Sequence, residues 1–275
     1  MKRGTTPFSR KRFGQHFLEP AWVEKVLRAI APQAGETFVE IGPGRGALTR
    51  PLAARARRVI AFEIDRDLAA ELRRSAPPNV TIVEGDFLDS GLSTLDPRLS
   101  TVPVRVAGNL PYNVATPILF KLVDAYRGGV PIADATLMLQ REVADRLVAS
   151  PGTGDYGVLT IAIALHASVE RVLSLPPGAF RPAPKVHSSL VRLRFHPPEP
   201  APRDVDLFNA LVQAAFTRRR KTLANALLAF PATPRLPPAE ALHRAGLVPT
   251  RRPETVTLAE WVRLADVFAS ARAVL

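Results

Sequence analysis

The sequence predicts an α/β protein, with a parallel sheet covered by helices on both faces, followed by a small domain made only of helices. Two patterns favour this class. Short apolar strands alternate with helices through the first half of the chain. Beyond a proline-rich stretch near residue 200, every periodic segment has helical spacing. With 275 residues, the chain is long enough for one large and one small domain.

Each predicted strand is a short apolar run followed by a polar or glycine-containing turn, and each predicted helix has apolar residues on one face. The strands are predicted at Thr37–Ile41, Arg58–Phe62, Val80–Val83, Val102–Ala107, Ala135–Leu139 and Val186–Phe195. The helices between them are predicted at Trp22–Ile30, Ala47–Arg57, Asp65–Arg74, Pro117–Tyr126 and Arg141–Ala149. Strands that alternate with helices in this way are expected to lie parallel.

The composition changes at residues 196–202, where four of seven residues are proline and the chain should be stiff. After this stretch, helices are predicted at Leu207–Phe216, Lys221–Leu228, Pro238–Ala245 and Leu258–Ala271. We therefore predict a basic arm at residues 1–20, an α/β domain at residues 21–200 and a helical domain at residues 201–275.

The charge of the chain favours a polyanionic partner. The chain has 37 Lys and Arg residues against 25 Asp and Glu, a net charge of +12, and all but six of the basic residues are Arg. Arg binds phosphate through two parallel N–H groups and stacks on bases, so nucleic acid is the expected partner. The densest basic run is either an RNA-binding surface or a solvated helix end. It consists of Arg218, Arg219, Arg220 and Lys221.

Several classes of site are excluded or disfavoured. The absence of cysteine excludes disulfides, thiolate catalysis and Cys-ligated metals. The histidines show no metal-ligand spacing, so no metal site is predicted. The longest apolar runs fall well short of the ~20 residues of a membrane-spanning helix, and no secretory signal is recognisable. We expect a cytoplasmic protein that acts as a monomer.

A glycine turn follows the first predicted strand. Gly42, Gly44 and Ala47 have the spacing of a dinucleotide-binding turn. Glu40 followed by Gly42, Gly44 and Gly46 has instead the pattern of an S-adenosylmethionine (SAM) site in class I methyltransferases. Such glycines let the backbone approach a ligand closely at the start of a helix. From the turn alone, both ligands remain possible.

Carboxylates follow the next two predicted strands. Glu63 stands where an acidic residue can accept both ribose hydroxyls of a nucleoside, whereas Asp65 is better placed to cap the next helix. Asp86 follows the third strand, beside the expected position of an adenine ring, and could accept a hydrogen bond from its amine. A dinucleotide site does not need this third acid, so Asp86 favours SAM.

The most specific segment is Asn109-Leu110-Pro111-Tyr112, after the fourth predicted strand. It fits the pattern [DNS]-P-P-[YFW] of enzymes that methylate exocyclic amines, with Leu110 in place of the first proline. If the Asn109 oxygen and the Leu110 carbonyl accept the two amine N–H groups, the nitrogen lone pair is freed for reaction. Pro111 would stiffen the turn, and Tyr112 would offer a flat face to the base.

Together these segments resemble the ribosomal RNA adenine dimethyltransferases, and within them the bacterial small-subunit type. Residues 13–18 (FGQHFL) resemble the N-terminal cofactor motif of that family, and residues 180–188 (FRPAPKVHS) resemble its F-x-P-x-P-K-V-x-S motif. With the glycine turn and Asn109–Tyr112, the matches cover about residues 13–195 in the same order. The resemblance implies a Rossmann-like class I methyltransferase fold, with a SAM-binding catalytic domain and an RNA-binding helical domain.

The resemblance also implies roles for individual residues. SAM contacts are expected at Gln15, His16, Leu18, Gly42, Gly44, Glu63, Asp86 and Asn109. His16 stands where many relatives have Asn. Phe180 is expected to stack on the target adenine opposite Tyr112. The basic run at Arg218–Lys221 is expected to face RNA.

The implied reaction is SAM-dependent dimethylation of N6 on two adjacent adenosines near the 3′ end of 16S rRNA in the 30S subunit or its precursor. Three alternatives remain open on the sequence alone. The first is a resistance-type enzyme that dimethylates an adenosine of 23S rRNA. The second is a ribosome-assembly factor whose binding matters more than its catalysis. The third, an NAD-dependent oxidoreductase, leaves Asn109–Tyr112 unexplained.

Overall fold

The predicted alternation of strands and helices is confirmed by the structure, a computed structural model in which residues 16–90, 92, 102–232 and 236–273 are described. The strands are β1 (Phe17–Leu18), β2 (Thr37–Ile41), β3 (Arg58–Glu63), β4 (Val80–Glu84), β5 (Val104–Asn109), β6 (Ile132–Gln140), β7 (Ala167–Leu175), β8 (Phe180–Arg181) and β9 (Ser188–Phe195). Seven of them form one sheet in the order β4-β3-β2-β5-β6-β9-β7, and β1 pairs with β8. No helix of the described residues is long and apolar enough to cross a membrane.

Helices connect these strands and make up most of the C-terminal part. The first six are α1 (Pro20–Ile30), α2 (Thr49–Ala53), α3 (Arg66–Ser75), α4 (Phe87–Ser90), α5 (Ala115–Arg127) and α6 (Arg141–Leu147). The others are α7 (Val158–Ala164), α8 (Val205–Thr217), α9 (Leu223–Leu227), α10 (Pro238–Arg244) and α11 (Leu258–Ala273). Asp65 caps α3 as predicted, since its carboxylate accepts the backbone N–H groups of Asp67 and Leu68.

The register of the parallel strands brings the predicted site segments to one edge of the sheet. Ile41, at the end of β2, lies opposite Phe62 on β3 and Gly108 on β5. The turns that follow these strands therefore lie side by side, at the edge where open α/β sheets bind ligands. Gly108 is required for this register, because a Cβ there would lie 2.5 Å from the Ile41 carbonyl oxygen.

Some elements differ from the prediction. The second helix begins only at Thr49, because Gly44 and Gly46 adopt positive φ angles of 58° and 81° and the chain before Thr49 is a turn. The last predicted strand begins at Ser188 rather than Val186. β7 (Ala167–Leu175) was not predicted, because its half-exposed charged residues obscure its apolar pattern. The helix α7 and the short strands β1 and β8 were not predicted either.

The chain divides into two compact units. The α/β unit contains the described residues up to Arg141 together with Val172–Val191, and the helical unit contains Glu142–Arg171 and the residues from Arg192 onward. Each has its own apolar core, one around Phe38, Leu52 and Leu190 and the other around Phe208 and Trp261. The domain boundary predicted near residue 200 stays a prediction, and the helical unit differs from it by including residues 142–171.

Candidate active site

A cavity of about 480 Å³ opens at the carboxyl edge of the sheet, a size typical of small-molecule sites. Its walls come from β1, from the ends of β2 to β5 and from the turns that follow them. Predicted residues that line it are His16, Leu18, Gly42, Gly44, Glu63, Asp86, Asn109, Leu110, Pro111 and Tyr112. The structure therefore gathers most of the predicted site into one cavity of the α/β unit. Gln15 lies outside the described residues.

The glycine turn and the end of β3 are joined by a direct hydrogen bond. The Gly44 N–H donates to Glu63 Oε2 at 2.9 Å, and the Asp65 N–H donates to Glu63 Oε1 at 3.0 Å. Burial raises the pKa of Glu63 above its ordinary value. Gly44 also has to be glycine, because its φ is 58° and a Cβ would lie 3.0 Å from the Phe17 ring.

Asp86 both caps a helix and lines the cavity. Its Oδ1 accepts the backbone N–H of Leu88 at 2.9 Å, so it caps the short helix α4. The same residue lines the cavity. The capping bond fixes the carboxylate beside the cavity, where it could still accept a bond from a ligand.

Glu40 is a site residue that the predicted set omits. It lies on β2, is 2% exposed and lines the cavity. Its Oε2 has no hydrogen-bond partner among the described residues. Burial, reinforced by the neighbouring charge of Glu63, raises the pKa of Glu40 to about 7. The signal in the sequence was an acidic residue within an otherwise apolar strand, directly before the glycine turn.

The charge of the cavity lining limits its ligands. The described lining residues include three carboxylates, those of Glu40, Glu63 and Asp86, and neither Lys nor Arg. A buried carboxylate oxygen without a partner is costly unless a ligand donates to it. The cavity thus favours a ligand with cationic or N–H groups over one with a pyrophosphate.

Glu40 should make the unfolding free energy fall as the pH rises. Its pKa is about 7 in the folded chain against an ordinary value of 4.5. Between these values the folded chain holds a proton that the unfolded chain has lost. Stability should therefore decrease by roughly 3 kcal/mol as the pH rises from about 4.5 to 7, and then level off. Denaturant unfolding of wild type and Glu40→Gln across this range measures the effect. The variant should lack this component, and equal pH slopes in both proteins would contradict the prediction.

The Asn109–Tyr112 segment is held by contacts from two other segments. The Asn109 Nδ2 donates to the His16 backbone carbonyl at 2.7 Å, which leaves Oδ1 as the free acceptor of the amide. The Tyr112 hydroxyl shares a hydrogen bond of 2.8 Å with the hydroxyl of Ser188, a buried residue at the start of β9. The His16 ring stacks on the Tyr112 ring at 5.6 Å between centroids.

Phe180 is not brought to the cavity wall. It is 1% exposed and packs in the apolar core of the α/β unit, where β8 places it opposite Leu18 of β1. Its predicted stacking role stays a prediction, and it requires the ring to become accessible when a base enters.

The basic run lies in the helical unit, at the turn between α8 and α9. It lines a depression of about 550 Å³ together with Phe216, Thr217, Asn225 and Leu228. Arg219 is partly buried, and its Nη2 donates to the Gly154 carbonyl at 2.6 Å. The other three, Arg218, Arg220 and Lys221, are exposed. Arg219 therefore stabilises the helical unit through this hydrogen bond, whereas the exposed side chains of Arg218, Arg220 and Lys221 can bind phosphates.

Comparison with known proteins bears out the resemblance. A family model described as "Ribosomal RNA adenine dimethylase" matches residues 8–268. A protein of Aromatoleum aromaticum named Ribosomal RNA small subunit methyltransferase A is 44% identical over 265 residues, or 95% of each chain.

The solved structures support the fold class. A dimethyladenosine transferase from Plasmodium falciparum matches with a TM-score of 0.78 and 24% identity, over 94% of this chain and 98% of its own. The 23S rRNA methyltransferase ErmE matches with a TM-score of 0.65 and 29% identity, over 92% and 99%. The predicted Rossmann-like methyltransferase fold is confirmed. Since the family model spans nearly the whole sequence, the chain belongs to the ribosomal RNA adenine dimethylase family.

Proposed function

We propose that this chain dimethylates N6 of two adjacent adenosines near the 3′ end of 16S rRNA, with SAM as methyl donor. The observation that carries the proposal is the Asn109 amide at the cavity wall, whose Nδ2 is engaged by His16 and whose Oδ1 is left to accept. An acceptor at this point suits an amine that must lose its conjugation before it reacts.

The cavity chemistry fits SAM. SAM carries a sulfonium and an ammonium group, both cationic, and Glu40 offers a buried carboxylate oxygen without a partner. Glu63 would accept the ribose hydroxyls, Asp86 would accept the adenine amine, and Gly42 and Gly44 would leave room for the ligand. When bound, SAM supplies an already activated methyl group. The absence of Lys and Arg from the described lining disfavours the pyrophosphate of a dinucleotide.

The residues of the Asn109–Tyr112 turn then need only to position the target base. Asn109 Oδ1 and the Leu110 carbonyl would accept the two N6–H groups, which frees the nitrogen lone pair. Pro111 restricts the turn, and Tyr112 presents a ring for stacking. Positioning carries most of the rate, so no strong general base is required. Each transfer replaces one N6–H by a methyl group and releases that proton to solvent, so after two transfers the amine has no N–H left and the series ends.

The small ribosomal subunit is the proposed substrate particle. The small-subunit methyltransferase of Aromatoleum aromaticum is 44% identical to this chain, whereas the 23S rRNA methyltransferase ErmE is 29% identical. The exposed Arg218, Arg220 and Lys221 would neutralise rRNA phosphates. We propose that the enzyme acts as a monomer in the cytoplasm, where ribosomal particles are assembled.

Transfer of labelled methyl groups tests this function. Unmethylated small subunits, large subunits and naked rRNA would each be incubated with the enzyme and labelled SAM, and the modified bases mapped. Dimethyladenosine only near the 3′ end of the 16S rRNA is expected. Label in the large subunit would assign the chain to the resistance type instead. No transfer despite SAM binding would overturn the catalytic proposal and favour a ribosome-assembly factor.

Phe180 offers a separate test of how the base is held. Phe180→Leu keeps most of the buried apolar volume and should cost about 1–2 kcal/mol of stability. If the ring stacks on the target adenine, kcat should nevertheless fall on the order of tenfold, since base stacking is worth ~1–3 kcal/mol. Steady-state kinetics with small subunits, beside thermal unfolding, measures both effects. A folded variant with unchanged kcat would restrict Phe180 to the core.

A further inference from the structure

We propose that His16 is a positioning residue for methyl transfer, which holds both the Asn109 amide and the Tyr112 ring in their working orientations. The inference rests on the proposed function, because it assigns a task within the same site. This positioning role differs from the SAM contact that the family resemblance implies for His16. The atoms of His16 that have partners contact other protein groups. Those groups belong to Asn109, Tyr112 and Pro182.

The backbone of His16 determines which way the Asn109 amide faces. The His16 carbonyl oxygen can only accept a hydrogen bond, and it lies 2.7 Å from Asn109 Nδ2. The amide nitrogen is therefore bound to His16, and the oxygen is the end left for the substrate amine. A flipped amide would place two oxygens against each other. The contact also favours Asn over Asp here, because an ionised carboxylate has no hydrogen to donate.

The imidazole of His16 is fixed in turn by the segment before β9. His16 Nδ1 lies 2.6 Å from the Pro182 carbonyl oxygen, which can only accept, so Nδ1 carries a proton. One face of the ring stacks on Tyr112 with an interplanar angle of 27°. Ser188 holds the Tyr112 hydroxyl from the other end of the same segment. Residues 182–188 thus contact both stacked rings, His16 through Pro182 and Tyr112 through Ser188.

The spacing of the two rings restricts where a base can stack. A base between two rings needs about 7 Å between their planes, because each contact takes about 3.5 Å. The centroids of His16 and Tyr112 are only 5.6 Å apart, so no base fits between them. His16 therefore backs one face of Tyr112 and directs the adenine to the other. The short ladder of β1 and β8, which pairs Phe17 with Arg181, keeps His16 in this place.

The test compares His16→Ala, His16→Phe and a matched control, His187→Ala. His187 is an exposed histidine of the same segment and lies outside the cavity lining. Kinetics with small subunits should show kcat reduced on the order of tenfold to a hundredfold in His16→Ala. The KM for particles and the Kd for SAM should stay within about threefold of wild type. His16→Phe, which keeps a ring, should recover part of kcat, and His187→Ala should match wild type.

A second readout does not depend on activity. The chain has only five asparagines, so protein labelled with ¹⁵N-asparagine gives few side-chain amide signals. His16→Ala keeps the backbone carbonyl but removes the ring's contact with Pro182 and its stacking on Tyr112, which hold residue 16 in place. The Asn109 signals, assigned by their loss in Asn109→Ala, should therefore shift in His16→Ala and remain in place in His187→Ala. These spectra test the inference even if wild type transfers no methyl groups, a result that would overturn only the proposed function. Unshifted Asn109 signals, or a loss of SAM affinity with unchanged kcat at saturating SAM, would overturn the role of His16.

Discussion

Asn109→Ala and Asn109→Asp should both lower the rate of methyl transfer by about a hundredfold or more, while the protein remains folded and still binds small subunits. Alanine removes the acceptor for the N6–H group, and loss of one such oriented group typically lowers kcat by about 10²–10³-fold. Aspartate keeps an acceptor but puts a carboxylate against the His16 carbonyl, 2.7 Å from the present Nδ2. The second oxygen would then repel the backbone and turn the side chain from its working orientation.

Single-turnover transfer to small subunits, with SAM binding measured separately, checks this expectation. Asn209→Ala on α8 is a suitable control, because it changes the same residue type in the helical unit. A decrease in SAM affinity of up to about tenfold is compatible with the second predicted role of Asn109, as a cofactor contact. Near-normal single-turnover rates in Asn109→Asp would refute the assigned amide orientation. Near-normal rates in Asn109→Ala would refute the catalytic role.

Replacing Arg218, Arg220 and Lys221 together by alanine should weaken binding to small subunits on the order of a hundredfold. All three side chains are exposed. Each phosphate contact that is lost also removes counterion release. The plot of log affinity against log salt concentration should therefore become less steep by about 2 to 3. The kcat at saturating particles should change little, because the cavity lies in the other unit.

A triple variant of Arg28, Arg57 and Arg74, exposed basic residues of the α/β unit, controls for the change in net charge. Arg219→Ala should behave differently from its neighbours. The Arg219→Ala variant loses the hydrogen bond to the Gly154 carbonyl, so its unfolding temperature should fall. The slope of log affinity against log salt concentration should change little. Equal salt slopes in the two triple variants would contradict a specific basic surface. If the triple variant of Arg218, Arg220 and Lys221 bound small subunits as tightly as wild type, these residues would have no role in RNA binding.

The strands that position the candidate site could be predicted from the sequence alone. The predicted strand Thr37–Ile41 has the same bounds as β2, because a mostly apolar run, interrupted only by Glu40 and ending at a glycine turn, is easy to delimit. Asn109 was predicted to follow its strand but ends it, since β5 covers Val104–Asn109. β7 escaped prediction because Glu170 and Arg171 lie within it and most of its residues are at least partly exposed. Local pattern predicts a buried strand far better than one with half its side chains in water.

Candidate site residues could be predicted where their position within a local sequence pattern was enough to suggest a role. Glu63, Asp86 and Asn109 could be proposed because each lies at the end of a strand of the parallel sheet or just after it. The positions of His16 and Ser188 against Asn109 and Tyr112 could not, since these contacts join residues 76 to 93 positions apart. Burial of Glu40 is likewise a tertiary property, and no periodicity reveals it.

The parallel register described above also shows where the chain can be lengthened. All turns that line the cavity lie at one edge of the sheet, so inserted residues at 42–48 or 109–114 would displace the site. The turn between α5 and β6 lies at the opposite end of β6 from Gln140. Gly128 and Gly129 are exposed there, and among the described residues beyond its chain neighbours no atom lies within 4 Å of a Cβ built on Gly129. A short tag inserted after Gly129 should leave methyl transfer intact and provide a handle for following the enzyme on ribosomal particles.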